Sequence, residues 1–101
     1  MAAHLIVRAT VLEADRPAFD DWYQNHHLPD AKAAFGALTA QRGWCESDPA
    51  LHIAIYTFGD LAQANAVAEG EAIQALIDDF DRTWQGRVTR TREVLGILQS
   101  I

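Results

Sequence analysis

Apolar positions along the chain change spacing several times, and each change marks an element. Residues 4 to 12, HLIVRATVL, are rich in β-branched residues and apolar at both parities, which predicts a strand with two largely apolar faces. EADRP follows, with Asp15 as the expected N-cap and Pro17 in the first turn. Asp20 and Asp21 then place negative charge in the early turns, where it complements the helix dipole. The helix is predicted over 16 to 27. Pro29 has no N–H and disfavours α geometry at Leu28, so the chain is expected to kink or restart there. PDAKAAF supplies a second short helical piece ending at Gly36.

Residues 37 to 46 alternate weakly and predict a second strand. SDPA signals a turn, and LHIAIYTF, 51 to 58, predicts a third strand. Asp60 offers a cap for a second helical region, with a break at Gly70. Ile73, Leu76, Ile77, Phe80 and Trp84 form one continuous stripe, so the better helix is 71 to 85, closed by Gly86. RVTRTREVLGILQSI, 87 to 101, predicts a final strand. The order strand, helix, strand, strand, helix, strand is the split βαβ, ferredoxin-like arrangement (βαββαβ). This is an α+β fold with an antiparallel sheet and helices on one face. The other face is left uncovered, yet the strands are apolar at both parities: Leu5, Val7 and Val11 against Ile6 and Leu12, and Ile53 and Ile55 against Tyr56 and Phe58. A second copy of the same sheet is the expected cover, giving a homodimer.

Length and charge narrow the functional classes. The 101 residues suit one domain, 1–101, and half of them are hydrophobic. Net charge is −6, and the only lysine is Lys32. Arg82, Arg87, Arg90 and Arg92 are interleaved with Asp78, Asp79, Asp81 and Glu93, so no basic patch emerges and nucleic-acid binding is not expected. The early apolar stretch is short and broken by Arg8, so neither a signal peptide nor a membrane span is expected, and a cytoplasmic location is the default. The single cysteine, Cys45, excludes an intramolecular disulfide and fits a small buried side chain better than a nucleophile. No histidine pair has chelating spacing, and there is no phosphate loop or nucleophile elbow, so no metal or cofactor is expected.

The densest chemistry lies in FDDWYQNHHLPD. At α-helical spacing Phe19, Trp22, Tyr23, His26 and His27 share a broad stripe, with Tyr23–His27 and Trp22–His26 as i,i+4 pairs. His27 beside an aromatic wall suits proton transfer near neutral pH, and the Tyr23 hydroxyl could polarise a carbonyl. The plainer alternatives are a helix-terminal imidazolium for His27 and core packing for Trp22. His52 and Tyr56 share a strand face. Arg8 and Arg42 interrupt apolar strands and need a partner, either an anionic substrate or a carboxylate such as Glu46, Glu93 or Asp78.

The element order, together with Phe19, Trp22, Tyr23, His27 and Pro29 at the spacing F-x-x-W-Y-x-x-x-H-x-P, resembles the EthD-like branch of the dimeric α+β barrel superfamily. Its first helix carries an aromatic residue, a histidine and then a proline two residues on. The resemblance implies a cavity between helices and sheet. Its relatives include isomerases, cyclases, cofactor-free monooxygenases and haem-degrading enzymes. It also singles out His27 as the inward histidine. The reading that follows is a cofactor-independent enzyme acting on a small apolar carbonyl or polyphenolic compound. In that reading His27 and Tyr23 are catalytic, and Trp22, His26, His52, Tyr56, Arg8 and Arg42 contact substrate. The competing readings are a non-catalytic binder of a hydrophobic ligand, a haem-binding module, and a structural dimerisation partner.

Overall fold

The computed structural model describes residues 1–101. Strand β1 (Ala3–Val11) leads through a 3-10 turn (Glu13–Asp15) into α1 (Arg16–Trp22), a π-helical turn (Tyr23–His27) and α2 (Leu28–Phe35). The chain continues through β2 (Thr39–Cys45), β3 (Asp48–Phe58), α3 (Leu61–Ala68), α4 (Glu71–Trp84) and β4 (Val88–Gly96). The four strands form one antiparallel sheet in the order β2-β3-β1-β4, so the predicted split βαβ topology is the observed one. No helix is long and apolar enough to cross a membrane.

Strand pairing sorts the two apolar parities. Leu5 lies opposite Tyr56 and Val94, while Ile6 lies opposite Ile55 and Glu93. Ala3, Leu5, Ala9 and Val11 of β1 and His52, Ala54, Tyr56 and Phe58 of β3 are buried with Phe19, Ile73, Phe80 and Trp84 from the helices. Ile6, Arg8, Ile53 and Ile55 occupy the opposite face and remain half-buried.

At Pro29 the chain restarts as the expected second helical piece, α2, ending at Gly36, but Leu28 keeps α geometry. The chain neither kinks away nor leaves helical geometry: His27 has φ −70° and ψ −46°, and Leu28 φ −65° and ψ −47°. The Leu28 N–H reaches back five residues to the Tyr23 carbonyl. One wide turn thus absorbs the break in the bonding ladder, and Pro29 enters α2 in its first turn, where its missing donor costs little. Gly36 closes α2 at φ 63°, a left-handed conformation that favours glycine.

Other boundaries shift for local reasons. Asp15 does not cap α1; it sits in the 3-10 turn with its carboxylate 3.5 Å from Arg87. Asp60 does cap α3, accepting from the Gln63 N–H at 2.8 Å. Gly70 separates α3 from α4, as its position inside an otherwise helical stretch predicts. β3 begins at Asp48 rather than 51, because the reversal falls at Glu46–Ser47, next to a bulge at Trp44 and Cys45. Pro49 is tolerated there because β1 pairs with β3 only from Leu51 onward. β4 stops at Gly96 and does not continue to the chain end; the last ladder-like bond is Ile97 N–H to Ala2 O at 3.1 Å.

Candidate functional site

The wide turn also changes which side chains meet. At α-helical spacing Trp22 would pair with His26. A π turn carries more residues per revolution, so side chains five apart align. Trp22 stacks on His27 with ring centroids 4.6 Å apart and planes 19° apart, and His26 points to solvent. Tyr23 meets the same imidazole edge-on at 4.8 Å, and Phe80 of α4 closes in at 5.7 Å. His27 is therefore held on three sides and only 7% exposed. Its Nδ1 is buried without a hydrogen-bond partner, a condition shared only with Trp84 Nε1. Burial pushes its pKa down to about 4; the Asp79 charge opposes this and the Arg90 charge reinforces it. His27 is thus a neutral imidazole at physiological pH, with a nitrogen that the protein leaves unused.

His27 lines a mostly apolar cavity between α2, α4 and the sheet. Its lining grades from the buried Leu5, Tyr56, Ile73 and Phe80 through the half-buried Val7, Phe35, Leu76, Ile77 and Arg90 to the exposed Arg92. The space within it is about 30 Å³, room for one or two waters. Tyr56 carries the other buried polar group of the lining. Its hydroxyl lies 3.5 Å from that of Tyr23, and burial keeps both phenols protonated, with Tyr23 raised to about 12 and Tyr56 higher still.

A second polar group stands behind the aromatic wall. Arg42 donates from Nη1 to Asp20 Oδ1 at 2.8 Å and lies 3.3 Å from His52 Nε2. Trp44 Nε1 donates to the same Asp20 oxygen at 2.9 Å. These donors, Arg42 first, hold the Asp20 carboxyl below its usual range. His52 is 1% exposed, and burial, helped by the Arg42 charge, lowers its pKa to about 4. Since a guanidinium only donates, the Nε2 facing Arg42 must be the acceptor, which leaves the proton on Nδ1. The cluster meets the residues around the cavity through Tyr23, whose ring lies 4.5 Å from that of His52, and through Phe19, 5.1 Å from His52 and 6.0 Å from Phe80.

The eight residues singled out from the sequence thus separate. His27 and Tyr56 line the cavity, and Trp22 and Tyr23 brace His27. His52 and Arg42 belong to the cluster behind, where the partner of Arg42 is Asp20 rather than Glu46, Glu93 or Asp78. Arg8 lies on the opposite sheet face, paired with Glu93. His26 is on the outer surface. Sequence reasoning missed Arg90 and Arg92 as cavity residues. Their signal was parity: Val88, Arg90, Arg92 and Val94 alternate on one face of β4, so two charges occupy the helix-facing side.

No protein-family model and no curated protein matches the chain. Solved structures do match. An ethyl tert-butyl ether D (EthD) family protein from Bacillus halodurans superposes with a TM-score of 0.70 at 18% identity, over 92% of this chain and 97% of that one. The chain shares the ferredoxin-like α+β fold of that structure. SnoaB, a cofactor-independent oxygenase from Streptomyces nogalater, gives a TM-score of 0.68 at 12% identity over 99% of this chain and 96% of its own. HapK from Hahella chejuensis gives 0.67 at 16% over 99% and 95%. At such identities the likeness is one of fold, and the chemistry rests on this chain's own residues.

Proposed function

We propose that this EthD-fold chain is a cofactor-independent proton-transfer enzyme acting on a small carbonyl or polyphenolic compound in the cavity between α2, α4 and the sheet. The observation that carries this reading is His27: neutral, wedged between Trp22, Tyr23 and Phe80, with a buried Nδ1 that no protein group satisfies. Leaving a buried nitrogen unpaired costs roughly 1–3 kcal/mol, a cost that a ligand hydrogen bond removes. In the proposed step a substrate C–H or O–H bond breaks and an N–H bond forms on His27. The electron pair moves onto a conjugated oxygen as an enolate or phenolate. Tyr56, a protonated phenol on the same wall, donates to that oxygen. A conjugate acid near 4 makes His27 a weak base, so the substrate proton must already be acidic, as in a 1,3-dicarbonyl or a polyphenol.

The active unit is proposed to be a homodimer formed through the bare sheet face, where Ile6, Ile53 and Ile55 lie and Leu95 is exposed. The test of the chemistry is hydrogen–deuterium exchange, followed by proton NMR, in a panel of 1,3-dicarbonyl and polyphenolic compounds. Wild type is expected to accelerate exchange in at least one of them, and His27→Ala, with unchanged circular dichroism, to lose the acceleration. Binding without exchange between pH 5 and 9 would instead make the protein a non-catalytic carrier.

A further inference from the structure

The chain holds seven arginines against fourteen acidic residues. Six have partners: Arg8 with Glu93, Arg42 with Asp20, Arg82 with Asp79, Arg87 with Asp15, Arg90 with Asp81, and Arg16 with the Val11 carbonyl. Arg92 has none, although the chain as a whole carries a net charge of −6. It projects from the helix-facing side of β4, beside Val7, and lines the cavity mouth with Arg90. Arg90 is immobilised there, its guanidinium 4.1 Å from the Phe80 ring centre and 3.3 Å from Asp81. One wall therefore carries a fixed cation and a free one. Past them the lining is apolar until His27 and Tyr56, both buried.

Such a gradient suits one kind of molecule. An uncharged apolar ligand would fill the interior and leave Arg92 idle, while a fully polar one would desolvate against Leu5, Val7 and Ile73 without compensation. We propose that the cavity takes an amphiphilic monoanion, an aromatic or unsaturated carboxylate, with its acid group on Arg92 and its apolar body running inward toward His27. This rests on the cavity being the ligand site, as the proposed function holds, and adds the charge class of the ligand. Bidentate geometry makes Arg the suitable residue for a carboxylate, and the neighbouring Arg90 raises the local potential without surrendering its own pair. Leu76 and Ile77, half-buried at the same end, are the side chains that must move to admit more than water.

The test uses trans-cinnamate and its neutral counterpart trans-cinnamamide, titrated into the full chain at pH 7.5. Imidazole NMR signals and tryptophan fluorescence are the readouts. Cinnamate is expected to bind roughly tenfold tighter than cinnamamide, the difference a charge-assisted hydrogen bond makes, with His27 shifting in both titrations. Arg92→Gln should remove that preference while leaving cinnamamide affinity unchanged. Arg82→Gln, on the outer surface of α4, should alter neither. Equal affinities in wild type, or an unchanged preference in Arg92→Gln, would overturn the anion assignment while the cavity reading survives. Failure of both probes to shift His27 would overturn the cavity reading and this inference with it.

Discussion

His27 and His52 are two buried neutral imidazoles whose pKa values both fall to about 4. In the unfolded chain a histidine titrates near 6.5. Above that pH neither state is protonated and no stability is lost. As pH falls from about 6.5 to about 4 the unfolded state takes up protons that the folded state refuses, so stability falls across this window and levels off below it. Each histidine accounts for roughly 3 kcal/mol at full effect. Urea midpoints should therefore drop steeply between pH 6.5 and 4, and His27→Gln should flatten part of that slope. A slope identical to wild type would show that His27 is not the buried neutral group described. Phe80 tests packing at the same scale: it is 3% exposed against Phe19, Trp22 and His27. Phe80→Ala should cost about 3–5 kcal/mol by denaturant titration. A cost under about 1 kcal/mol would mean that α4 repacks freely.

The decisive element is the wide turn between α1 and α2. Tyr23, His27 and Pro29 were visible in sequence, and so was a disruption of the helix near the proline. The form of the disruption was not, because the spacing of aromatic and histidine residues does not encode whether the backbone bonds skip four residues or five. With a five-residue reach the partner of His27 becomes Trp22 rather than Tyr23 alone, and His26 is released to solvent. Pro29→Ala restores a backbone donor and removes the bias against a regular α register. The expected result is a loss of the Trp22 ring-current shift on His27, with global stability changing by less than about 1 kcal/mol, since Pro29 lies in the first turn of α2. An unshifted His27 signal would show that packing under α4, not the proline, holds the turn open. Strand β4 carries a similar lesson. The alternation of Val88, Arg90, Arg92 and Val94 was legible, but the shared face became meaningful only once β1 paired with β4 in a definite register.

For the whole molecule the feature that calls for a partner is the uncovered sheet face. Ile6, Ile53 and Ile55 occupy it with the Arg8–Glu93 pair, and Leu98 and Ile101 beyond β4 are almost wholly exposed. Ile6, Ile53 and Ile55 are neighbours in the strand register, an apolar cluster that a second copy of the face would cover. Size-exclusion with light scattering should return a dimer at micromolar concentration. Ile55→Lys should shift it toward monomer without loss of helix signal, because its side chain faces away from the core that Tyr56 enters. A wild-type monomer would remove the dimer from the proposal.

The sequence by itself determined the order of elements, the antiparallel split βαβ topology, the amphipathic stripe of α4 and the importance of the aromatic–histidine segment. Those follow from local periodicity, from glycine and proline, and from the need to bury apolar stripes. Only the tertiary structure decided which parity of each strand faces the helices, since both are apolar and a one-residue difference inverts the choice. It also separated Arg8 and His26 from the cavity, gave Arg42 to Asp20, and brought Arg90 and Arg92 to the cavity mouth from a strand far from His27 in sequence. Contacts between distant segments are set by strand register and helix docking, and no local pattern encodes them.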